Sequence, residues 1–243
     1  MSGCQRLCLW SGPRNISTAL MYCFAQRADT QVVDEPLYAH YLAHTSARDY
    51  HPGAEAVLAS QNQDGAAVVR DVILGPCDHS LLFLKQMTHH LVGLDLEFLR
   101  QTVNVILIRD PVDMLPSYVQ QVEAPSLRDT GYAQNVELLE ELEGIGQAPP
   151  ILDARETLLD PRRVLEQLCD RLGLAFDERM LSWDAGARPE DGVWAQYWYG
   201  SVHRSTGFEP YAPKTEPFPE RLQPLLEECR PLYERLAARA IRA

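Results

Sequence analysis

The chain has 243 residues, 46% of them hydrophobic and 23% charged, which is enough apolar material for one sizeable core and excludes a disordered chain. Its 22 Lys and Arg face 34 Asp and Glu, a formal charge of −12, and this balance excludes general nucleic-acid binding, which needs a basic surface. No apolar run is long enough to span a bilayer, no secretion signal is visible, and the six cysteines form no C-x-x-C pair, so the expectation is a cytoplasmic protein with reduced thiols, no membrane partner and no metal site.

Residues 7–10, Leu-Cys-Leu-Trp, read as a buried strand. Ser11, Gly12 and Pro13 punctuate a turn, and a mostly apolar helix follows through Ser17-Thr18 to Phe24. A strand, a tight loop and a helix point a row of free backbone N–H groups at one spot, and the positive end of the helix dipole favours an anion there. Arg14 adds a cation, and Ser17 and Thr18 add hydroxyls. The loop is not the G-x-x-x-x-G-K-[ST] phosphate loop, since neither its second Gly nor its Lys is in place. Taken alone, the same stretch reads equally well as an ordinary strand-to-helix turn with an exposed Arg.

Residues 30–34 form a short β-rich run ending at Asp34-Glu35-Pro36, and the proline keeps Glu35 out of a helix. Helices are expected near residues 38–44, 54–60 and 66–74, then a strand at 81–85, a loop at Thr88-His89-His90 and a short helix at 96–101. Residues 103–108, Val-Asn-Val-Ile-Leu-Ile, are the clearest strand, with the unbroken apolar character of a parallel sheet buried on both faces. Pro111 opens a helix over 112–122. Beyond it lie an acidic helix at 132–142, a strand at 150–153 and an amphipathic helix at 161–172 stopped by Gly173. Residues 183–214 show few regular patterns and many aromatics, and a last helix spans 219–242. Strands alternating with helices predict a single α/β domain over residues 1–243, with a central parallel sheet flanked by helices. Ligands in such sheets bind beyond the carboxyl ends of the strands, where the loop from Gly12 to Thr18, Glu35, residues 85–90 and Arg109 all fall.

Arg109, Pro111, Ser117 and Tyr118 resemble the 3'-phosphate site of sulfotransferases that use 3'-phosphoadenosine 5'-phosphosulfate (PAPS). In that family a strand ends in Arg, an x-Pro turn follows, and a Ser-Tyr pair lies eight and nine residues after the Arg, as here. An Arg binds phosphate through two parallel hydrogen bonds, and the Ser hydroxyl adds a donor. Pro13-Arg14-Asn15-Ile16-Ser17-Thr18 then looks like the family's 5'-phosphosulfate loop, usually Pro-Lys-Ser-Gly-Thr-Thr, with Arg14 for Lys and Ile16 for Gly. Arg keeps the charge and changes the geometry and the proton chemistry. A Leu-x-Asp-Pro entry at 158–161, a Leu-Gly-Leu turn and Trp183 are similar to the family's later half.

The resemblance implies a P-loop-like sulfotransferase fold, PAPS as co-substrate, a small-molecule acceptor and no metal. Glu35, in a Glu-Pro context after the second strand, and His89, in a Thr-His segment after the third, are two candidates for the base that takes the acceptor's proton. Lys85 is the candidate for stabilising charge on the sulfuryl oxygens. Arg204, Ser205, Thr206 and Gly207 stand where the family places an Arg-Lys-Gly segment over the 3'-phosphate, and Trp198 or Phe208 would stack on adenine or lid the site. Two other readings share the same loop: a P-loop kinase, against which the missing Walker Lys and the Arg109/Ser117 pair argue, and a nucleotide-binding module without activity, suggested by Arg14 and Ile16. Acceptor contacts would come from residues 38–50, 88–93 and 194–211, which carry no readable code, and neither does the oligomeric state.

Overall fold

The computed structural model describes residues 3–243. Its sheet has five strands, β1 Gln5–Ser11, β2 Thr30–Asp34, β3 Leu81–Met87, β4 Val103–Ile108 and β5 Ile151–Asp153. They lie in the order β2-β3-β1-β4-β5, and every pairing is parallel. β1 is central because it is apolar on both faces. Leu7 and Leu9 pack into one core with Leu20, Met21 and Phe24 of helix α1 (Ser17–Ala25) and with Leu165 and Leu168 of the helix Pro161–Leu172. Cys8 and Trp10 pack into the other core with Val136, Leu139 and Leu142 of the helix Tyr132–Gly144 and with Leu236. Trp10 Nε1 donates to Asn104 Oδ1 at 2.8 Å, so the one polar atom of this central side chain is satisfied within the core.

Parallel pairing brings Ser11, Asp34, Met87, Ile108 and Asp153 to one edge of the sheet. The chain leaves β1 toward β2 on one side and reaches β4 on the other, so the loop after β1 lies at the switch point where such sheets take ligands. The predicted elements recur with small shifts. The helix after Pro111 stops at Tyr118, and Thr88–His90 forms a 3-10 turn instead of an open loop. Residues 66–74 are helical, as a short α-turn, Gly65–Val68, widening into a π-turn, Val69–Ile73. The last helix is Gln223–Ala237, which carries Pro224 in its first turn and Pro231 within. In residues 183–214, Ala195–Trp198 and Val202–Arg204 are single turns.

The loop after β1 is held by a backbone contact that only glycine permits. A Cβ on Gly12 would sit 2.4 Å from the carbonyl oxygen of Thr130, and Gly131, at φ +77°, turns the chain there into the helix Tyr132–Gly144. Gly12→Ala must push these two loops apart, so it is expected to destabilise the fold by about 1–3 kcal/mol, the usual cost of overpacking. Urea denaturation checks this, and an unchanged midpoint would contradict the contact.

Candidate active site

Two loops, one after β1 and one after β4, meet through their arginines. Arg109 Nη1 donates to the carbonyl oxygen of Arg14 at 2.8 Å. Arg14 Nε in turn donates to Ser117 Oγ at 3.0 Å, and its Nη1 donates to the Trp198 carbonyl at 3.1 Å. Asn15 Nδ2 donates to the carbonyl of Leu107 in β4 at 3.1 Å. Arg14 adopts φ +55° and Glu35 φ +38°, and these are the two non-glycine residues with positive φ among those described. Such a conformation costs about 1–3 kcal/mol and persists only where the surroundings enforce it. Burial first, and then the neighbouring Arg109, lower the pKa of Arg14. Two like charges are therefore packed side by side at the N-terminus of α1, where free N–H groups also point.

Arg14 and Arg109 line one cleft of about 340 Å³, together with Asn15, Ile16, Thr18 and Ser117. Ser205 and Gly207 reach its far wall beside Phe208, whose ring packs edge-on to Trp183. Ser205 Oγ is already engaged, donating to the Val202 carbonyl and accepting from Trp183 Nε1. Arg204 and Thr206 are exposed and line neither cavity, so of the segment expected over the 3'-phosphate Ser205 and Gly207 reach the cleft and the Arg204 cation does not.

A second, smaller cavity of about 80 Å³ lies across the loop after β1 and shares Arg14, Asn15, Thr18, Trp198 and Tyr199 with the cleft. Pro13 and Ser17 line it from the loop side, and Glu35, Lys85 and His89 line its depth. Lys85 is 1% exposed, and its three N–H bonds go to Asp34 Oδ1 at 2.9 Å, to Glu35 Oε1 and to Tyr199 Oη at 2.6 Å. No donor is left for a sulfuryl oxygen, so Lys85 anchors the two carboxylates instead of stabilising the transferred group. Tyr199 Oη donates a hydrogen bond to Asp34 Oδ2 at 2.7 Å, closing the network. The sequence did not single out Asp34 or Tyr199, because their role depends on a contact between segments 165 residues apart.

Burial raises the Glu35 pKa, Asp34 adds to the rise, and Lys85 opposes it. Burial also lowers Lys85, but the charges of Asp34 and Glu35 outweigh it, so Lys85 ends above its usual value. His51 and His89 are pushed down to about 4 and about 3, mainly by burial, and His90 is driven well below the imidazole range. All three imidazoles are thus neutral near pH 7.

A family model described as "Sulfotransferase domain" matches residues 5–240. Two curated relatives from Arabidopsis thaliana, "Branched-chain-amino-acid aminotransferase-like protein 1" and "protein 2", are 44% and 42% identical to this chain over 200 residues, 82% of its length. The chain spans only 36% and 35% of those longer proteins. Among solved structures, the sulfotransferase domain from the curacin biosynthetic pathway superposes with a TM-score of 0.53 at 16% identity, covering 95% of this chain and 99% of that one. A sulfotransferase from Alicyclobacillus acidocaldarius does so with a TM-score of 0.55 at 14% identity, covering 98% and 97%. At such identities the structures speak for the fold.

The buried histidines set a pH dependence of stability. Their folded pKa values lie below the ordinary 6.5, so the folded state binds fewer protons than the unfolded one. Their contribution is complete above pH 6.5 and is lost as pH falls toward about 4 and about 3. Across that window each removes about 1.4 kcal/mol per pH unit. Glu35, whose carboxyl is raised, works in the opposite direction. Melting temperatures recorded from pH 7 to pH 4.5 should fall steeply for the wild type and less so for His89→Gln. A flat wild-type profile would contradict neutral buried imidazoles.

Proposed function

The chain belongs to the sulfotransferase domain family, and from that premise we propose that it moves a sulfuryl group from PAPS to a hydroxyl or amine of a small-molecule acceptor. The observation that carries this reading is the convergence of Arg14, Arg109 and Ser117 on one cleft, with the N-terminus of α1 at its edge. Two guanidiniums, a hydroxyl and a row of N–H groups form a donor set suited to two separate phosphate groups.

Arg109 and Ser117 hold the 3'-phosphate in this scheme. Pro13 to Thr18 wrap the 5' end, with the Ser17 and Thr18 hydroxyls and the Arg14 guanidinium directed to phosphate and sulfuryl oxygens. Bound PAPS supplies an activated sulfuryl group on a phosphate leaving group. Arg14 offsets the negative charge that builds on that phosphate, and because the guanidinium keeps its proton it acts as an electrostatic clamp and not as an acid. Positioning and charge stabilisation supply most of the rate, as in phosphoryl transfer.

Glu35 is the base. Burial raises its pKa and so strengthens the carboxylate as a proton acceptor, whereas burial pushes His89 down to about 3 and weakens it as a base. Lys85 fixes the Glu35 carboxylate, and His89 contacts the acceptor without taking its proton. The strained backbone at Arg14 and Glu35 fits this assignment, since both residues line the smaller cavity. The six free cysteines, four of them buried, fit a reducing compartment, and we place the protein in the cytoplasm.

Adenosine 3',5'-bisphosphate at about 100 times its Kd should raise the melting temperature by roughly 5–10 °C. Arg109→Ala should abolish that shift. A full shift in the variant, or none in the wild type, would overturn the assignment of the cleft. With labelled PAPS, Glu35→Gln should lower kcat by about 10²–10⁴-fold while keeping the nucleotide-induced shift. If His89→Gln suffers that loss and Glu35→Gln does not, the base has been misassigned.

A further inference from the structure

Ten buried side-chain nitrogen and oxygen atoms among the described residues have no hydrogen-bond partner, and five of them belong to residues lining the 80 Å³ cavity. They are His51 Nε2, His89 Nδ1, His90 Nδ1, Tyr118 Oη and Trp198 Nε1. Tyr118, His89 and His90 are 1%, 4% and 1% exposed. An unsatisfied buried polar group is costly, and native proteins tolerate few of them. Five on the walls of one small cavity mark a place where a ligand supplies the missing partners.

The kind of atom decides the kind of ligand. A neutral imidazole has one N–H and one lone pair, and a phenol donates and accepts. A hydroxyl is their natural counterpart because it also does both. A carboxylate would need donors throughout and would face the Glu35 carboxylate on the same wall. An ammonium would need acceptors and would meet the Arg14 guanidinium and the Trp198 N–H, which only donates. The Glu35 and Asp34 charges that could attract a cation are already bound to Lys85. The space, about 80 Å³, limits the ligand to a short chain.

We propose that this cavity is the acceptor site for a short, uncharged polyol, one hydroxyl of which is sulfated beside Glu35 while the others pair with His51, His89, Tyr118 and Trp198. The transfer forms the bond from the acceptor oxygen to sulfur, breaks the bond from sulfur to the phosphate oxygen of PAPS, and leaves the hydroxyl proton on Glu35. This inference rests on the donor reading above.

The test compares glycerol with 1-pentanol, which has the same number of non-hydrogen atoms, as acceptors from labelled PAPS. Calorimetric binding of adenosine 3',5'-bisphosphate is measured on the same preparation. Glycerol should exceed 1-pentanol in kcat/KM by at least about tenfold, as expected where buried polar groups would be left unpaired. Glycerate and 3-amino-1,2-propanediol, which add a charge, should fall below glycerol. Tyr118→Phe and His51→Phe should each reduce the glycerol-to-pentanol ratio about fivefold or more. If the nucleotide binds but glycerol yields no sulfated product, or does no better than 1-pentanol or the charged analogues, the polyol assignment is overturned and the donor reading stands. If the nucleotide does not bind, both fall together.

Discussion

Two guanidiniums held side by side by neutral partners are the constraint on which the site depends. Arg109 donates to the backbone of Arg14, and Arg14 reaches across to Ser117, so each loop fixes the other without any carboxylate between them. Burial first, and then the neighbouring Arg109 charge, lower the pKa of Arg14, and an anion in the cleft would relieve both costs. The protein carries a formal charge of −12, so this local concentration of positive charge runs against the average of its sequence. It is maintained by geometry: the central position of β1, the close contact at Gly12 and the left-handed backbone at Arg14.

On the other side of the same loop the electrostatics are reversed. Asp34, Glu35 and Lys85 are buried together, and every N–H of the lysine is used within the group. Removing water from three charges is expensive, and the arrangement survives because hydrogen bonds from Tyr199 and the Gly192 N–H complete the coordination of Asp34. Burial leaves Glu35 with a raised pKa next to a fixed cation, the kind of perturbed group that clusters at functional sites. In the scheme proposed above, the neutral histidine and tyrosine wall behind it would read an acceptor's hydroxyls, and the cleft beside Arg14 and Arg109 would read the charge of the donor.

Much of this was legible in the residues themselves, where local chemistry dictates local structure. The apolar run of β4 and the amphipathic helix Pro161–Leu172 fell where pattern placed them. So did the turn at Gly12 and the strand-end position of Arg109, because parallel strands bring their carboxyl ends together whatever lies between. Long-range pairing was less legible. Lys85 looked like a free strand-end cation because nothing in its neighbourhood reveals that Asp34 and Tyr199 will close on it. The segment at Arg204 resembles a basic motif, yet Arg204 is exposed and lines neither cavity, because the single turn that carries it leaves its side chain outside the cleft. The neutrality of His89 could not be read either, since it arises from burial among other rings.

The account stands or falls on whether Arg109 and Ser117 read a phosphate at the 3' position. The direct measurement is the calorimetric Kd of adenosine 3',5'-bisphosphate against that of adenosine 5'-monophosphate, at one salt concentration. The 3'-phosphate should tighten binding by at least about tenfold, as a charge-assisted Arg contact would. Equal affinity for the two nucleotides would contradict it.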